Sequence, residues 1–139
     1  MERYGYRGYI SSRPVGSHRV PQHIQNLTIR EYAERNQLAY LLSGVEYCME
    51  NSYLMLNEIA VELESIEGII LYSMFMLPNE KARRSKFFKQ VFDTGAILHA
   101  AVEGIALFDE AGLARWEDIF LIDSIVDPMK IYEDVGCRI

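Results

Sequence analysis

Apolar residues in this chain fall into short continuous runs that alternate with stretches of helical spacing. Tyr9-Ile10, following Gly8, reads as a short first strand, and the Ser-Arg-Pro-Val-Gly-Ser run over residues 12–17 breaks regular structure after it. Between Pro21 and Arg35, Ile24, Leu27, Tyr32 and Ala33 suggest an amphipathic helix with Pro21 in its first turn. Leu38 to Leu42 predicts a second strand ended by Ser43-Gly44. Leu56, Ile59, Ala60 and Leu63 share one helix face, and Glu58, Glu62 and Glu64 fall largely away from it. Ile69-Ile70-Leu71-Tyr72 is β-branched and apolar, as expected of a strand buried on both faces. Asn79 can cap a third helix whose inner face is Phe87, Phe88, Val91 and Phe92 and which Gly95 closes. Ile97 to Val102 supplies a fourth strand. The tail from Ala111, with Trp116, Ile119, Phe120, Ile122 and Val126, fits a further helix less cleanly.

Four strands separated by three helical patterns predict a βαβαβαβ order, hence an α/β protein with a three-layer parallel sheet and right-handed crossovers. A length of 139 residues fits a single domain over 1–139, with a core at about 4–108 and a C-terminal helical tail over 109–139. Ligands of such sheets bind outside the carboxyl ends of the strands, where the strand order reverses. The segments to watch are therefore Ser11–Gln22, Ser43–Tyr47, Tyr72–Asn79 and the end of the fourth strand at Glu103.

Composition adds compartment and charge. Apolar and aromatic residues make up 50% and charged residues 24%, which excludes disorder, collagen and a disulfide scaffold. The net charge of −6 argues against a nucleic-acid binder. It is unevenly spread, with six basic and three acidic side chains in residues 1–35, five bases in 81–89, and acidic excess elsewhere. The first residues lack the apolar core of a signal peptide, and the most apolar window, Ile66 to Pro78, is too short to span a membrane. Cys48 and Cys137 form no CxxC pair, so a cytoplasmic protein with reduced thiols is expected. His18, His23 and His99 make no metal motif, and neither a GxGxxG nor a P-loop is present, so no metal and no cofactor is expected.

The richest loop is Ser11 to Gln22, which carries hydroxyls, guanidiniums, an imidazole and an amide between the first strand and its helix. Backbone N–H groups at that helix start, with Arg13 and Arg19, would suit a phosphate or carboxylate. A plain polar surface loop is the alternative. His18 is the better acid–base candidate, and Ser11 and Ser12 are candidate catalytic hydroxyls beside the binding amide of Gln22. After the second strand come Ser43, Glu46 and Tyr47; Glu46 could serve as a base or hold sugar hydroxyls, or be an ordinary exposed acid. Tyr72 and Ser73 end the third strand and would reach the same crevice, although a core-edge tyrosine has the same pattern. Met74 to Leu77 reads as core or a subunit contact, which makes a homo-oligomer plausible. His99 and Glu103 share one strand face in alternating geometry, with a structural histidine the plainer reading. Lys81, Arg83, Arg84, Lys86 and Lys89 read as a solvated basic stripe or a dock for an anionic partner.

Two resemblances enter at these residues. Gly8-Tyr9, Gln25-Asn26, the Gly68-Ile69-Ile70-Leu71 strand and Gly95 with Glu103-Gly104-Ile105 together resemble the catalytic domain of serine recombinases, over roughly residues 4–108. This resemblance implies a resolvase-like fold of flavodoxin-like strand order, the first strand central and the second at one side. It does not extend to the activity, which needs Tyr-x-Arg-x-Ser on the first strand. Here Ser11 stands where the arginine belongs and Arg13 where the serine belongs, and Met76-Leu77-Pro78-Asn79-Glu80 replaces the second motif, Asp-Arg-x-x-Arg.

The second resemblance is to the bacterial "sporadic carbohydrate cluster" proteins, over about residues 7–122. It rests on Arg7 to Pro14, Arg19 to His23, Tyr40 to Ser43 with Glu46-Tyr47, Gly68 to Pro78, Leu98-His99 and Glu117 to Ile119. It implies a setting in lipopolysaccharide or capsule sugar metabolism and supplies no reaction. The expectation is a cytosolic protein that binds or converts an anionic sugar, sugar phosphate or nucleotide sugar. The alternative is a non-enzymatic partner of a neighbouring biosynthetic enzyme, with no nucleic acid involved in either case.

Overall fold

A computed structural model describes residues 3–12, 19–46 and 53–126 of the chain. The parallel strands are β1 (Tyr6–Ser11), β2 (Tyr40–Glu46), β3 (Gly68–Leu71) and β4 (Ile97–Ala100), and the helices are α1 (Gln22–Arg35), α2 (Leu54–Val61), α3 (Lys81–Thr94) and α4 (Glu110–Val126). A fifth strand, β5 (Ile105–Leu107), pairs antiparallel with β4 and gives the order β2-β1-β3-β4-β5. The sheet is thus parallel in four strands and antiparallel at one edge, a departure from the all-parallel expectation.

Strand order and crossover hand together decide the layers. The chain moves from β1 to β2 in one direction and from β2 through β3 to β4 in the other, so crossovers of one hand put α1 alone on one face. On that face Ile29, Tyr32 and Ala33 of α1 bury Tyr6, Ile10 and Ile70. On the other, Leu56 and Ile59 of α2, Phe87, Phe88 and Val91 of α3, and Trp116 and Phe120 of α4 cover Tyr9, Ile69, Leu71 and Leu98. β3 is buried on both faces, which its β-branched run predicts. Gly68 lets β3 approach β4, because a methyl there would run into the Ile97 carbonyl oxygen. Gly95 ends α3 in the left-handed region at φ 76°, as its place after the apolar face predicts.

Several boundaries move. β2 runs to Glu46 rather than stopping at Ser43-Gly44, because Ser43 to Glu46 pair with Gly8 to Ser11. The pairing slips between Tyr6 and Gly8, so β2 carries an extra residue there. The slip leaves Leu42 exposed and turns its carbonyl oxygen to the Arg7 Nε–H at 2.6 Å. α3 begins after Glu80 rather than at an Asn79 cap. Met74, Met76 and Leu77 are core, and Phe75 meets the Phe120 ring edge-on at 5.6 Å, so this segment is not a free subunit contact. Among the described residues no helix is long and apolar enough to cross a membrane.

Candidate functional site

At the carboxyl end of β1, Ser11 is buried, and a side chain bonds both its backbone N–H and its carbonyl. The Gln25 Oε1 accepts the Ser11 N–H at 2.9 Å, and the Gln25 Nε2 donates to the Ser11 and Val20 carbonyls at 2.7 and 2.9 Å. A side-chain amide has the donor–acceptor pattern of a peptide group, so Gln25, itself fully buried, extends the hydrogen bonding of β1 out of the sheet plane. Ser12 continues the pairing with β2 through its N–H to the Glu46 carbonyl at 3.0 Å. Arg19 donates from Nη1 to the Ser12 carbonyl at 3.1 Å, which sets a guanidinium beside this edge. Arg13 and His18 lie outside the described residues, as do Tyr47, Cys48 and Cys137.

Glu46 ends β2 level with Ser11 and is 3% exposed. Its carboxylate accepts the Tyr9 hydroxyl at 2.9 Å and the backbone N–H groups of Met55 and Leu56 at 3.1 and 3.3 Å. Those are first-turn amides of α2, which lack partners within the helix, so Glu46 caps α2 from the sheet. A carboxylate engaged by three donors is fixed in one place, which suits a frame better than a proton shuttle. Ser43 is likewise tied, its Oγ donating to Asn26 Oδ1 at 2.7 Å and lying 2.6 Å from the Tyr40 hydroxyl.

The same device recurs after β3. Ser73 Oγ donates to Glu103 Oε2 at 2.7 Å and accepts the Phe75 N–H at 3.2 Å, while the Met74 N–H reaches Glu103 Oε1 at 2.9 Å. Ser73 therefore caps the single 3-10 turn Met74–Met76, and Glu103 braces it by taking the Met74 N–H and the Ser73 hydroxyl. Tyr72 stands half-buried at the end of β3, its hydroxyl pKa raised by burial and by the nearby Glu103 charge. Gln22 opens α1, half-buried. Ser11, Ser12, Arg19, Glu46 and Ser73 thus gather along the carboxyl edge, whereas Ser43 turns to α1.

Other candidates separate. Arg3 donates to the Leu63 and Glu64 carbonyls after α2, and Arg7 pairs with Glu62 at 2.6 Å, so both lie toward the amino end of β1 and add no charge to the crevice. The basic run of α3 is not one stripe. Arg84 is buried, with a bidentate pair to Glu117 at 2.9 and 2.7 Å, while Lys89 pairs with Asp93 on the surface. Alternation stops at Ala100, so His99 and Glu103 do not work together: Ala101 to Gly104 form a turn. His99 faces α1, its Nδ1 2.7 Å from the Tyr32 hydroxyl and its ring edge-on to Tyr6 and Tyr32. Its Nε2 is buried and has no hydrogen-bond partner among the described residues.

Burial lowers the His99 pKa from 6.5 to about 4. The unfolded chain takes up this proton near pH 6.5 and the native chain only near pH 4. Stability from the neutral ring is therefore complete above pH 6.5 and lost as pH falls toward 4. Solvent screening at the partly open ring reduces the effect to about 1–2 kcal/mol at pH 5. Urea midpoints at pH 7.5 and 5 should differ less for His99→Phe than for the wild type. An unchanged difference would remove His99 from the acid response.

No family model matches the chain, and no curated protein matches it. Among solved structures, it superposes on a resolvase family site-specific recombinase from Streptococcus pneumoniae with a TM-score of 0.60. The match covers 92% of this chain and 94% of that one at 11% identity. The chain has a resolvase fold. At that identity the likeness extends to architecture alone. The family comparison lends the resemblance to the carbohydrate cluster proteins no support.

Proposed function

We propose that the chain is a cytosolic, resolvase-fold protein of surface-polysaccharide biosynthesis that binds a small anionic sugar and does not cut DNA. One observation carries the binding half of this reading: the carboxylates at the sheet's carboxyl edge, Glu46 and Glu103, are occupied by backbone donors. An edge whose acids are spent on rigidity can hold a ligand but offers no general base among the described residues. Arg19, beside Ser12, supplies positive charge, and Arg13 and His18 follow Ser12 in the sequence. The biosynthetic setting rests on the motif resemblance. Against strand cleavage stands the first-strand motif, with Arg13 where the resemblance needs the serine and Ser11 where it needs the arginine.

Calorimetric titration with sugar phosphates, nucleotide sugars and acidic sugars tests it. A member of this panel should bind the wild type, Arg19→Ala should weaken it at least tenfold, and supercoiled plasmid should stay intact. No ligand in the panel, or equal affinity for Arg19→Ala, overturns the reading. A second reading, support of a neighbouring enzyme, is favoured by the end of α4, where Leu121, Ile122, Ile125 and Val126 are exposed. It expects no ligand in the same titration and co-elution with the product of an adjoining gene.

A further inference from the structure

At β5 the sheet ends on backbone groups that no strand takes among the described residues. Their direction follows from the pairing of β4. Ile97 and Ala101 donate their N–H groups to the carbonyls of Glu67 and Leu71 on the β3 side, so by alternation Leu98 and Ala100 turn theirs to β5. Leu98 lies opposite Leu107, His99 opposite Ala106 and Ala100 opposite Ile105. Ile105 and Leu107 therefore spend their N–H and C=O groups on β4, and those of Ala106 point outward. β5 reads Ile-Ala-Leu, without the charge or proline that commonly closes an exposed edge. Three residues offer one outward pair, so a strand added here must draw the rest of its affinity from what flanks the edge.

A groove of about 490 Å³ supplies that flank, between β5 and the first two turns of α4. Positions 111, 112, 115 and 116 share one helix face. Ala111 and Gly112 are small and leave the groove open, Trp116 is buried at its base, and Phe108 stands at its rim, 65% exposed. Arg115 is exposed and makes no ion pair or hydrogen bond among the described residues. Asp109 also lines the groove, but its Oδ1 accepts the Gly112 N–H at 2.8 Å, which spends its charge on the start of α4. Arg115 is thus the charged group that an incoming segment meets.

We propose that β5 receives an extended segment of a partner protein as a sixth strand, with an acidic side chain of that segment against Arg115. The edge sets the sequence pattern. Ala106 shares the sheet face of His99, which is the α1 face, so the residue that exchanges hydrogen bonds with Ala106 points its own side chain there too. Its two neighbours point to the α4 face, into the groove. One places a carboxylate at Arg115 and the other an apolar side chain against Ile105, which gives an acid–x–apolar alternation. The proposal rests on this edge alone and does not draw on the ligand proposed for the Arg19 edge.

Nitrogen-15 NMR titration of the whole chain with the blocked peptide Thr-Glu-Thr-Val-Thr-Glu-Thr tests it. This sequence is the same read from either end, so it serves parallel and antiparallel addition alike. At saturation the Ala106 amide should exchange with solvent at least tenfold more slowly, and the backbone signals of Ala106 and Arg115 should shift. The peptide with lysine in place of both glutamates should bind at least tenfold more weakly, and Arg115→Glu should reverse that order. N-methylation of the two threonines that flank the valine should abolish binding. Circular dichroism should show the variant folded, since Arg115 is at the surface. Equal affinity for the glutamate and lysine peptides overturns the proposal, as does undiminished binding of the N-methylated peptide, silence toward both charged peptides, or shifts away from β5. Shifts at Ala106 that grow with protein concentration alone assign the edge to a second copy of the chain and overturn the partner segment. Each of these results leaves the sugar titration at the Arg19 edge standing.

Discussion

Replacing Arg84 by alanine should destabilise the protein by about 3–5 kcal/mol, the cost of leaving one partner of a buried ion pair behind. The guanidinium is almost fully used. Nε and Nη2 form the fork to Glu117, Nη1 donates to the Pro78 and Asn79 carbonyls at 3.0 and 2.7 Å, and the plane lies 4.1 Å from the Phe120 ring centroid. One side chain thus joins the turn before α3, α3 itself and α4. Alanine strands the Glu117 carboxylate at 19% exposure and frees two carbonyl oxygens. Arg84→Met with Glu117→Leu removes both charges and should recover much of the loss, because a pair of buried ions costs nearly as much to desolvate as it returns. Urea denaturation checks both. A single-variant loss under 1 kcal/mol would show that the pair is exposed in solution and that α4 is not tied to α3 through it.

Glu46→Ala should cost about 3 kcal/mol, the second-largest effect. Three donors lose their acceptor at once, two of them amides at a helix start that nothing else among the described residues satisfies. Glu46→Gln should cost about half as much, since its carbonyl oxygen can take one or two of the donors while its NH₂ faces the rest. The loss should appear as a lowered denaturation midpoint and as faster amide exchange at Met55 and Leu56. A variant of wild-type stability would release Glu46 from capping and restore it as a candidate base.

Much of the layer architecture could be read from the order of the residues, and the reason is burial on one face. Phe87, Phe88 and Val91 lie on a helical period because they pack on the sheet, and Ile69 to Leu71 run continuously because β3 has helices on both sides. β2 was harder to place, since its apolar start at Leu38 suggests an early strand while Ser43-Gly44 suggests a break. Its actual extent is set by pairing with β1, a contact between distant residues that local pattern does not carry. β5, three residues long, gives too short a pattern to register.

The candidate site was legible in its location and less so in its chemistry. Ser12, Arg19 and Glu46 do meet at the strand ends, because the α/β topology puts each strand-to-helix connection there. What each polar group binds was hidden. Gln25 occupies a helix position that looks solvated in sequence, yet it is fully buried against Ser11. Arg84 sits among four other cations and differs from them only in where the helix turns it. The signal for Gln25 was its place on the α1 face that also carries Ile29, Tyr32 and Ala33, an amide where an apolar residue is expected.

The two glutamates also bear on how such a protein can vary. A helix start is usually secured by a residue in the loop that leads to it, so changes in that loop threaten the helix. Here the α2 start is secured by Glu46, already anchored in β2, and the turn after β3 by Ser73 together with Glu103, which comes from beyond β4. The α2 start is thereby tied to the sheet itself, so recognition at this end of the sheet can diverge while the frame is inherited.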